Sequence, residues 1–205
     1  MRFFRPGIPG RWVFHEALFR IRTDEKIVCL TFDDGPDPSS TPVILEALNK
    51  NEISAIFFCC GDAAKQYPHL VKSIISEGHI IGNHTWSHSD GWKNSALSYL
   101  QDVDKAVPFT SGKYFRPPFG RMRFRQYLLL KKRFKIFFWD IMSYDFDGTL
   151  SYEESLRKTV ELIRPGSVIV LHDKKRSSYA EFLNRLVEEI LKKGYRFTLP
   201  VSDSV

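Results

Sequence analysis

Two kinds of hydrophobic pattern alternate along the chain. Short runs of apolar, β-branched and aromatic residues are typical of strands, and longer segments with apolar residues at helical spacing are typical of helices. Strands are predicted at 26–32, 54–60, 79–84, 114–118, 135–140, 167–173 and 195–199. Helices are predicted at 42–51, 68–77, 95–107, 124–132, 152–163 and 180–193.

The order of these elements predicts an α/β fold. Gly78 and Gly194 follow two of the helices, where a C-terminal cap is expected, and the next strand begins at once. About seven strands alternating with helices imply a parallel sheet with its helices outside. An open doubly wound sheet and a closed barrel both fit the pattern.

Composition indicates one folded domain. The 205 residues are enough to bury a core, and 43% of them are apolar, with 17 Phe. The net charge of +6 is typical of an ordinary solvated exterior, so no nucleic-acid partner is expected. The three cysteines, an odd number, are expected to be buried free thiols.

Residues 1–25 are expected to be an N-terminal extension of a domain that spans 26–205. The extension is basic and aromatic, with Trp12, Phe14 and Phe19, and packing against the bottom of the domain is favoured over lying on a membrane surface. No integral membrane segment is expected. Pro and Gly break the first residues before a signal peptide forms, which favours a cytoplasmic location. Cell-envelope association and a trimmed secreted parent stay open alternatives.

Reactive side chains fall at the ends of the predicted strands. They are Asp33 and Asp34 after the first strand, His84 and His88 after the third, Arg116 in the fourth, Asp140 and Asp145 after the fifth, and His172 and Asp173 at the end of the sixth. In a parallel α/β fold these ends meet at one rim, where active sites are built. The sequence therefore predicts an active site there.

Two short motifs suggest a metal. The spacing of His84 and His88 is ambiguous alone, and the D-D-G-P string at 33–36 is by itself typical of a structural turn. Together, two imidazoles and one carboxylate make a three-ligand zinc site with a position open for water. The paired cysteines of a structural zinc site are absent from the sequence. His15, His69 and His79 are given no role.

One competing motif is rejected. The D-F-D-G-T-L string at 145–150 matches haloacid-dehalogenase-type phosphatases. Only 55 residues follow it, too few for the strands and the distant Lys and acidic pair of such a domain. It also leaves Asp33, His84 and His88 unexplained.

The ordered motifs resemble those of polysaccharide deacetylases, carbohydrate esterase family 4, the NodB-homology proteins. The five similar segments are T-F-D-D-G-P at 31–36, H-T-W-S-H at 84–88, R-P-P-F-G at 116–120, residues 139–146, and L-H-D at 171–173. The resemblance covers nearly the whole chain from about residue 26 to 199. It implies a distorted (β/α) barrel of seven or eight strands.

The resemblance also implies roles for single residues. Asp34, His84 and His88 would bind one divalent metal ion, most often Zn²⁺, with Co²⁺ or another divalent ion as alternatives. Asp33 would be the general base and Arg116 its ion-pair partner.

Further roles concern the leaving group and the acetyl group. His172 would be the proton donor, with Asp145 as its partner and Asp140 as a weaker alternative. A backbone N–H near Phe119 would help to stabilise the oxyanion, while Phe146 and Leu171 would line the acetyl slot. Phe146 stands where the family commonly has Trp, so the slot is expected to differ in shape.

The resemblance implies a metal-dependent de-N-acetylase that acts on N-acetylglucosamine units of a peptidoglycan- or chitin-like glycan. An acetylated amino-sugar glycan is thus the expected partner, and the protein is expected to be a monomer. Two alternatives stay open: an O-acetyl carbohydrate esterase, and a catalytically silent glycan-binding relative that keeps the fold.

Overall fold

The computed structural model describes residues 4–110, 112–174 and 179–200, and eight parallel strands form one sheet in this part of the chain. Their bounds are β1 Ile27–Asp33, β2 Ile56–Cys59, β3 Ile80–Asn83, β4 Tyr114–Phe115, β5 Lys135–Ile136, β6 Ile141–Met142, β7 Ser167–His172 and β8 Arg196–Phe197. The strand order is β5-β4-β3-β2-β1-β7-β6, and β8 pairs with β1.

Eight α-helices lie along the same part of the chain. They are α1 Ile8–Val13, α2 Thr41–Lys50, α3 Gly61–Gln66, α4 Pro68–Ser76, α5 Ala96–Ala106, α6 Phe124–Leu130, α7 Tyr152–Leu162 and α8 Tyr179–Lys192. The helix starts follow local chemistry, since Ser95 and Ser151 each accept a hydrogen bond from the third residue after them. Gly78 and Gly194 adopt the positive φ that a C-terminal cap requires.

The sheet curls so that its two faces bury different side chains. Alternate residues of β1 belong to separate clusters, because successive strand residues point to opposite faces. Val28, Leu30 and Phe32 pack in the large cluster that contains residues of α2 and α8, so they face the helices. Cys29 packs with Ile56, Phe58, Phe137 and Val168 inside the curled sheet. Strands buried on both faces explain why the predicted strands are continuous apolar runs.

The N-terminal segment takes part in the sheet. Leu18 forms a parallel bridge with Phe137, just after β5, and the Ile21 N–H donates to the carbonyl of Gly166, just before β7. Residues 18–21 therefore connect opposite sides of the strand order. Leu18 and Ile21 are buried in the interior cluster. The side chain of Trp12 is 79% exposed.

The predicted fold is confirmed as a distorted (β/α) barrel. All seven predicted strands and all six predicted helices are present, with ends shifted by a few residues. The sequence did not predict α1, α3 or β6, the last a strand of two residues. Among the described residues, no helix is both long enough and apolar enough to cross a membrane.

Candidate metal centre and active site

The site lies where the strands end at their C-terminal side. On the inner face of β1, apolar Cys29 is followed by Thr31 and then Asp33, so the barrel interior becomes polar toward this rim. A pocket of about 370 Å³ opens there. Its lining includes most of the predicted site: Asp33, Asp34, His84, His88, Phe119, Phe146 and His172.

Asp34, His84 and His88 form a cluster that could hold a metal ion. One ligand atom from each of the three lies within 4.8 Å of the others. Oδ1 of Asp34 is 2.9 Å from Nε2 of His88 and 3.5 Å from Nε2 of His84. Burial raises the pKa of Asp34, but the two imidazoles outweigh it and hold that pKa well below its usual range.

The hydrogen bond on the far side of His84 sets its tautomer. Nδ1 lies 2.8 Å from the carbonyl oxygen of Arg116, which can only accept, so Nδ1 carries the proton. Nε2, which faces Asp34, is then the ring nitrogen that could bind a metal ion. A carboxylate and imidazole nitrogens converging in this way match the donor set of a catalytic zinc site, including the support behind a ligating histidine. The residues therefore fit a divalent metal.

Unusual backbone conformations gather at this rim. Six non-glycine residues among those described have positive φ: Asp34, Glu52, Thr85, His88, Phe119 and Tyr144. All but Glu52 lie in or beside the pocket. Such conformations cost free energy and are typical of functional sites, where the surrounding structure enforces them.

Asp33 is held by a fully buried arginine. Nη1 of Arg116 donates to Oδ1 of Asp33 and to Oγ1 of Thr31, both at 2.7 Å. Nη2 donates to the Phe138 carbonyl at 2.8 Å, and the guanidinium lies 4.2 Å from the centroid of the Phe58 ring. These contacts fix the Arg116 side chain, and through it they fix the direction of the Asp33 carboxylate.

His172 faces the pocket from the opposite side with Asp145 behind it. Nδ1 of His172 lies 2.7 Å from Oδ1 of Asp145, and the His172 backbone N–H donates to Oδ2 at 2.8 Å. The hydroxyls of Ser143 and Tyr179 also donate to this buried carboxylate, at 2.9 and 3.0 Å. Burial lowers the pKa of His172, but the Asp145 carboxylate outweighs burial and raises it above its usual value.

Asp140, the alternative partner of His172, lies in a different environment. Its carboxylate accepts hydrogen bonds from Arg11 at 2.9 Å, from Nε of Arg164 at 3.0 Å and from Ser167 at 2.8 Å. Asp145 is therefore the partner of His172 in the structure, whereas Asp140 pairs with Arg11 and Arg164.

The residues predicted to surround the acetyl group divide into two sets. The Phe119 ring is 4.5 Å from the His88 ring, and the Phe146 ring is 4.4 Å from the His172 ring, centroid to centroid. Leu171 instead packs in the cluster between the sheet and the helices, so the structure does not bring it to the pocket. Strand alternation explains this, because Val170 and not Leu171 shares a face with His172.

Several pocket residues were not singled out from the sequence. Lys174 Nζ lies 2.8 Å from Oδ2 of Asp34, and Trp139, Met142 and Tyr144 line the wall. A lysine directly after the L-H-D string was a signal that could have been noticed. No sequence signal pointed to Tyr179, because its hydroxyl donates to Asp145 from a helix 34 residues away in sequence.

Asp173 supports the loop that carries Asp33 and Asp34. Its carboxylate accepts hydrogen bonds from Ser40 and Thr41, both at 2.6 Å, and burial raises its pKa to about 7. A Cβ on Gly35 would stand 2.1 Å from Oδ2 of Asp173, so only glycine fits there. The tight packing fixes the start of the metal-binding loop.

The fold and the site define a class of protein, a curled parallel (β/α) barrel with an Asp-His-His cluster at its rim that could hold a metal ion. The chain belongs to the polysaccharide deacetylase family, carbohydrate esterase family 4. The family model "Polysaccharide deacetylase" matches residues 20–132. This confirms the resemblance inferred from the motifs.

Individual relatives agree with the family. A peptidoglycan-N-acetylglucosamine deacetylase of Bacillus cereus is 33% identical over an alignment of 185 residues, and the match covers 84% of this chain and 66% of the relative. The peptidoglycan-N-acetylmuramic acid deacetylase PdaA of Bacillus subtilis is 31% identical over an alignment of 195 residues, and the match covers 89% of this chain and 73% of the relative.

A solved structure extends the agreement to three dimensions. The Bc1960 peptidoglycan N-acetylglucosamine deacetylase, in complex with a naphthalenyl N-oxidanyl-benzamide, superposes with a TM-score of 0.85 at 31% identity. The match covers 92% of each chain. The homologues are carbohydrate deacetylases by name, and the names of the two curated relatives differ in the sugar.

Proposed function

We propose that this protein removes N-acetyl groups from amino sugars of a peptidoglycan- or chitin-like glycan, with a divalent metal ion held by Asp34, His84 and His88. The proposal rests on the side chains gathered around one pocket. The Asp33–Arg116 pair and the His172–Asp145 pair lie there beside the Asp-His-His cluster. A bound divalent metal would lower the pKa of a water molecule and polarise the acetyl carbonyl. Zn²⁺ is the ion that best suits this donor set.

Asp33 would act as the general base. It accepts a proton from the water whose oxygen adds to the acetyl carbon. Arg116 keeps Oδ1 of Asp33 directed by its 2.7 Å hydrogen bond. The negative charge that develops on the acetyl oxygen would be stabilised by the Phe119 N–H. In the tight turn that presents Phe119, the next two N–H groups donate to the carbonyls of Pro117 and Pro118.

His172 would act as the general acid. When the C–N bond breaks, the sugar nitrogen must gain a proton, because an amine anion is a poor leaving group. The Asp145 carboxylate favours the protonated imidazole and directs Nε2 away from itself, toward the pocket. The products are acetate and a free amino sugar.

The test is acetate release from a panel of N-acetylated oligosaccharides, with and without chelator, followed by restoration of Zn²⁺ or Co²⁺. We expect turnover to stop in chelator and to return with metal. Asp33→Asn should lower kcat by about 10²–10⁴-fold while metal content, measured by elemental analysis, stays at the wild-type level. Turnover that persists in chelator at full rate would falsify this mechanism.

An O-acetyl esterase is the second candidate function, because the same catalytic groups can direct a water molecule to the carbonyl carbon of an ester. An alkoxide leaves more easily than an amine anion, so His172→Ala should impair amide cleavage more than ester cleavage. Equal losses on matched N-acetyl and O-acetyl sugars would count against His172 as the acid. Glycan binding with no acetate release under any added divalent metal would instead support a silent relative.

A further inference from the structure

The positive charge of the chain is concentrated in one segment. Residues 121–135 contain seven basic and no acidic residues, whereas the rest of the chain has 23 basic and 24 acidic residues. The whole net charge of +6 therefore comes from this short stretch. The stretch includes α6, which packs against α5 and leads into β5. An evenly charged exterior would not place its basic residues in this way.

The outward side of α6 combines these charges with apolar side chains. The buried residues of the helix lie on one side of it. The other side exposes 51% of Phe124, 37% of Leu128 and 45% of Leu129. Arg125 and Lys132 are exposed on that side too, because positions three, four and seven residues apart share one face of a helix. We name Phe124, Arg125, Leu128, Leu129 and Lys132 the docking face.

The positive charge of the docking face is not neutralised by the protein. Three other basic residues of the segment pair with carboxylates, and they are Arg121, Lys131 and Arg133. In the part of the chain that the structure describes, Arg125 and Lys132 form no ion pair. A surface groove of about 470 Å³ is lined by these two cations, by Lys131 and by Leu128 and Leu129. The groove therefore joins apolar surface to unpaired positive charge.

We propose that the docking face binds the surface of an anionic lipid bilayer. Exposed apolar side chains flanked by Lys and Arg are typical of helices that lie in the membrane interface, where the apolar groups enter the acyl boundary and the cations meet lipid phosphates. A second copy of the chain fits poorly, because two-fold contact would set like charges against like. Nucleic acid would neutralise the charges but would gain little from exposed leucines.

This orientation leaves the pocket accessible. Arg121, three residues before α6, lines the pocket, so the helix begins beside the rim. The helix then runs toward the opposite end of the barrel, because the parallel strand β5 starts there. The docking face thus lies along the side of the barrel, and the pocket opens at its edge. A bilayer on the docking face does not close the pocket.

The first test measures binding to lipid vesicles by flotation. Wild type should bind vesicles made of equal parts phosphatidylglycerol and phosphatidylcholine, should not bind phosphatidylcholine alone, and should bind less in high salt. Arg125→Gln/Lys132→Gln should lower the partition coefficient roughly 30-fold, because each basic residue near an anionic surface contributes about fivefold. Lys50→Gln/Lys72→Gln removes two exposed lysines from α2 and α4 and should leave the coefficient unchanged.

The second test examines the apolar contribution. Leu128→Ala/Leu129→Ala should lower the partition coefficient about tenfold, because less apolar surface enters the bilayer. The matched control is Ile75→Ala/Leu191→Ala, which shortens exposed apolar side chains on α4 and α8 and should leave the coefficient unchanged. Urea denaturation of every variant checks that its fold is kept.

Three results would overturn the proposal. One is a wild-type protein that does not bind the phosphatidylglycerol vesicles. Another is binding that the charge variant loses and the leucine variant keeps, because the docking face would then suit a soluble polyanion such as nucleic acid. The third is an equal loss of binding in either control pair. Vesicle binding requires no turnover, so its outcome is independent of the proposed deacetylase function.

Discussion

Asp140 and Asp145 are only five positions apart and both are buried, but their side chains contact different groups. Asp145 supports His172 with one carboxylate oxygen and accepts its backbone N–H with the other. Asp140 lies among guanidinium groups and the Ser167 hydroxyl. Substituting each aspartate should therefore change a different measurable property.

Replacing Asp145 with Asn should alter the pH dependence of catalysis. His172 must be protonated to act as an acid, so activity falls as pH rises through its pKa. The carboxylate raises that pKa against the effect of burial. An amide at this position leaves burial opposed only by the weaker effects of Asp34 and Asp33, so the pKa of His172 falls. We expect the alkaline limb of the kcat/KM profile to move to lower pH.

The control for this experiment is Asp147→Asn, which removes a nearby carboxylate that accepts hydrogen bonds from Thr149. Its alkaline limb should match that of wild type. If Asp145→Asn kept the wild-type limb as well, the pairing seen in the structure would not govern His172.

At the scale of single elements, a short 3-10 turn presents Phe119 to the metal cluster. The turn spans Pro118–Gly120, with φ of 59° at Phe119 and 64° at Gly120. A Cβ on Gly120 would stand 2.4 Å from the Trp139 ring. The turn therefore depends on glycine for its backbone conformation and for its contact with the pocket wall.

Gly120→Ala should destabilise the protein and lower its activity. Positive φ costs alanine about 1–2 kcal/mol, and the close contact with Trp139 adds to this. Chemical denaturation measures the stability, and acetate release measures the activity. Gly148→Ala is the matched control, because a Cβ at Gly148 has no atom within 4 Å, and it should change neither property. Equal effects of the two substitutions would contradict the argument.

The elements that the sequence missed share a physical property. β6 has two residues and α3 has six, so neither is long enough to show a periodic pattern. β6 exists because Ile141 and Met142 pair with Ile169 and Val170 of β7, a contact between distant parts of the chain. The longer helices carry their own signals, such as the caps at Ser95 and Ser151.

At the scale of the whole molecule, the N-terminal segment is tied to the barrel by an ionic cluster. Asp140 is fully buried, and Arg11 and Arg164 both donate to it. Burial raises the pKa of Asp140, but Arg164 and Ser167 outweigh it and keep that pKa below its usual range. One carboxylate thus joins α1, β6 and the start of β7.

Asp140→Asn should lower the free energy of unfolding by about 1–3 kcal/mol, because asparagine keeps only one acceptor oxygen and its N–H₂ leaves the donors that faced the other oxygen without an acceptor. Urea denaturation measures this change. The alkaline limb of the pH profile should stay at its wild-type position, in contrast to Asp145→Asn. Asp104→Asn, which breaks an exposed ion pair with Arg133, is the control and should cost less than about 1 kcal/mol. A larger loss in the control would contradict the assignment.

The sequence by itself determined the class of fold and the residue types of the candidate site. Hydrophobic periodicity depends on neighbours a few positions apart, so it gave the order of strands and helices and placed the reactive side chains at strand ends. The five motifs and their order along the chain were sufficient to identify the family.

Only the tertiary structure decided which side chains meet. It separated Asp145 from Asp140, turned Leu171 toward the helices, and brought Tyr179 to Asp145. These contacts join residues far apart in sequence, and each depends on strand register, backbone conformation and the packing of neighbouring loops together. No local pattern carries that information, because the position of each side chain is set by elements elsewhere in the chain.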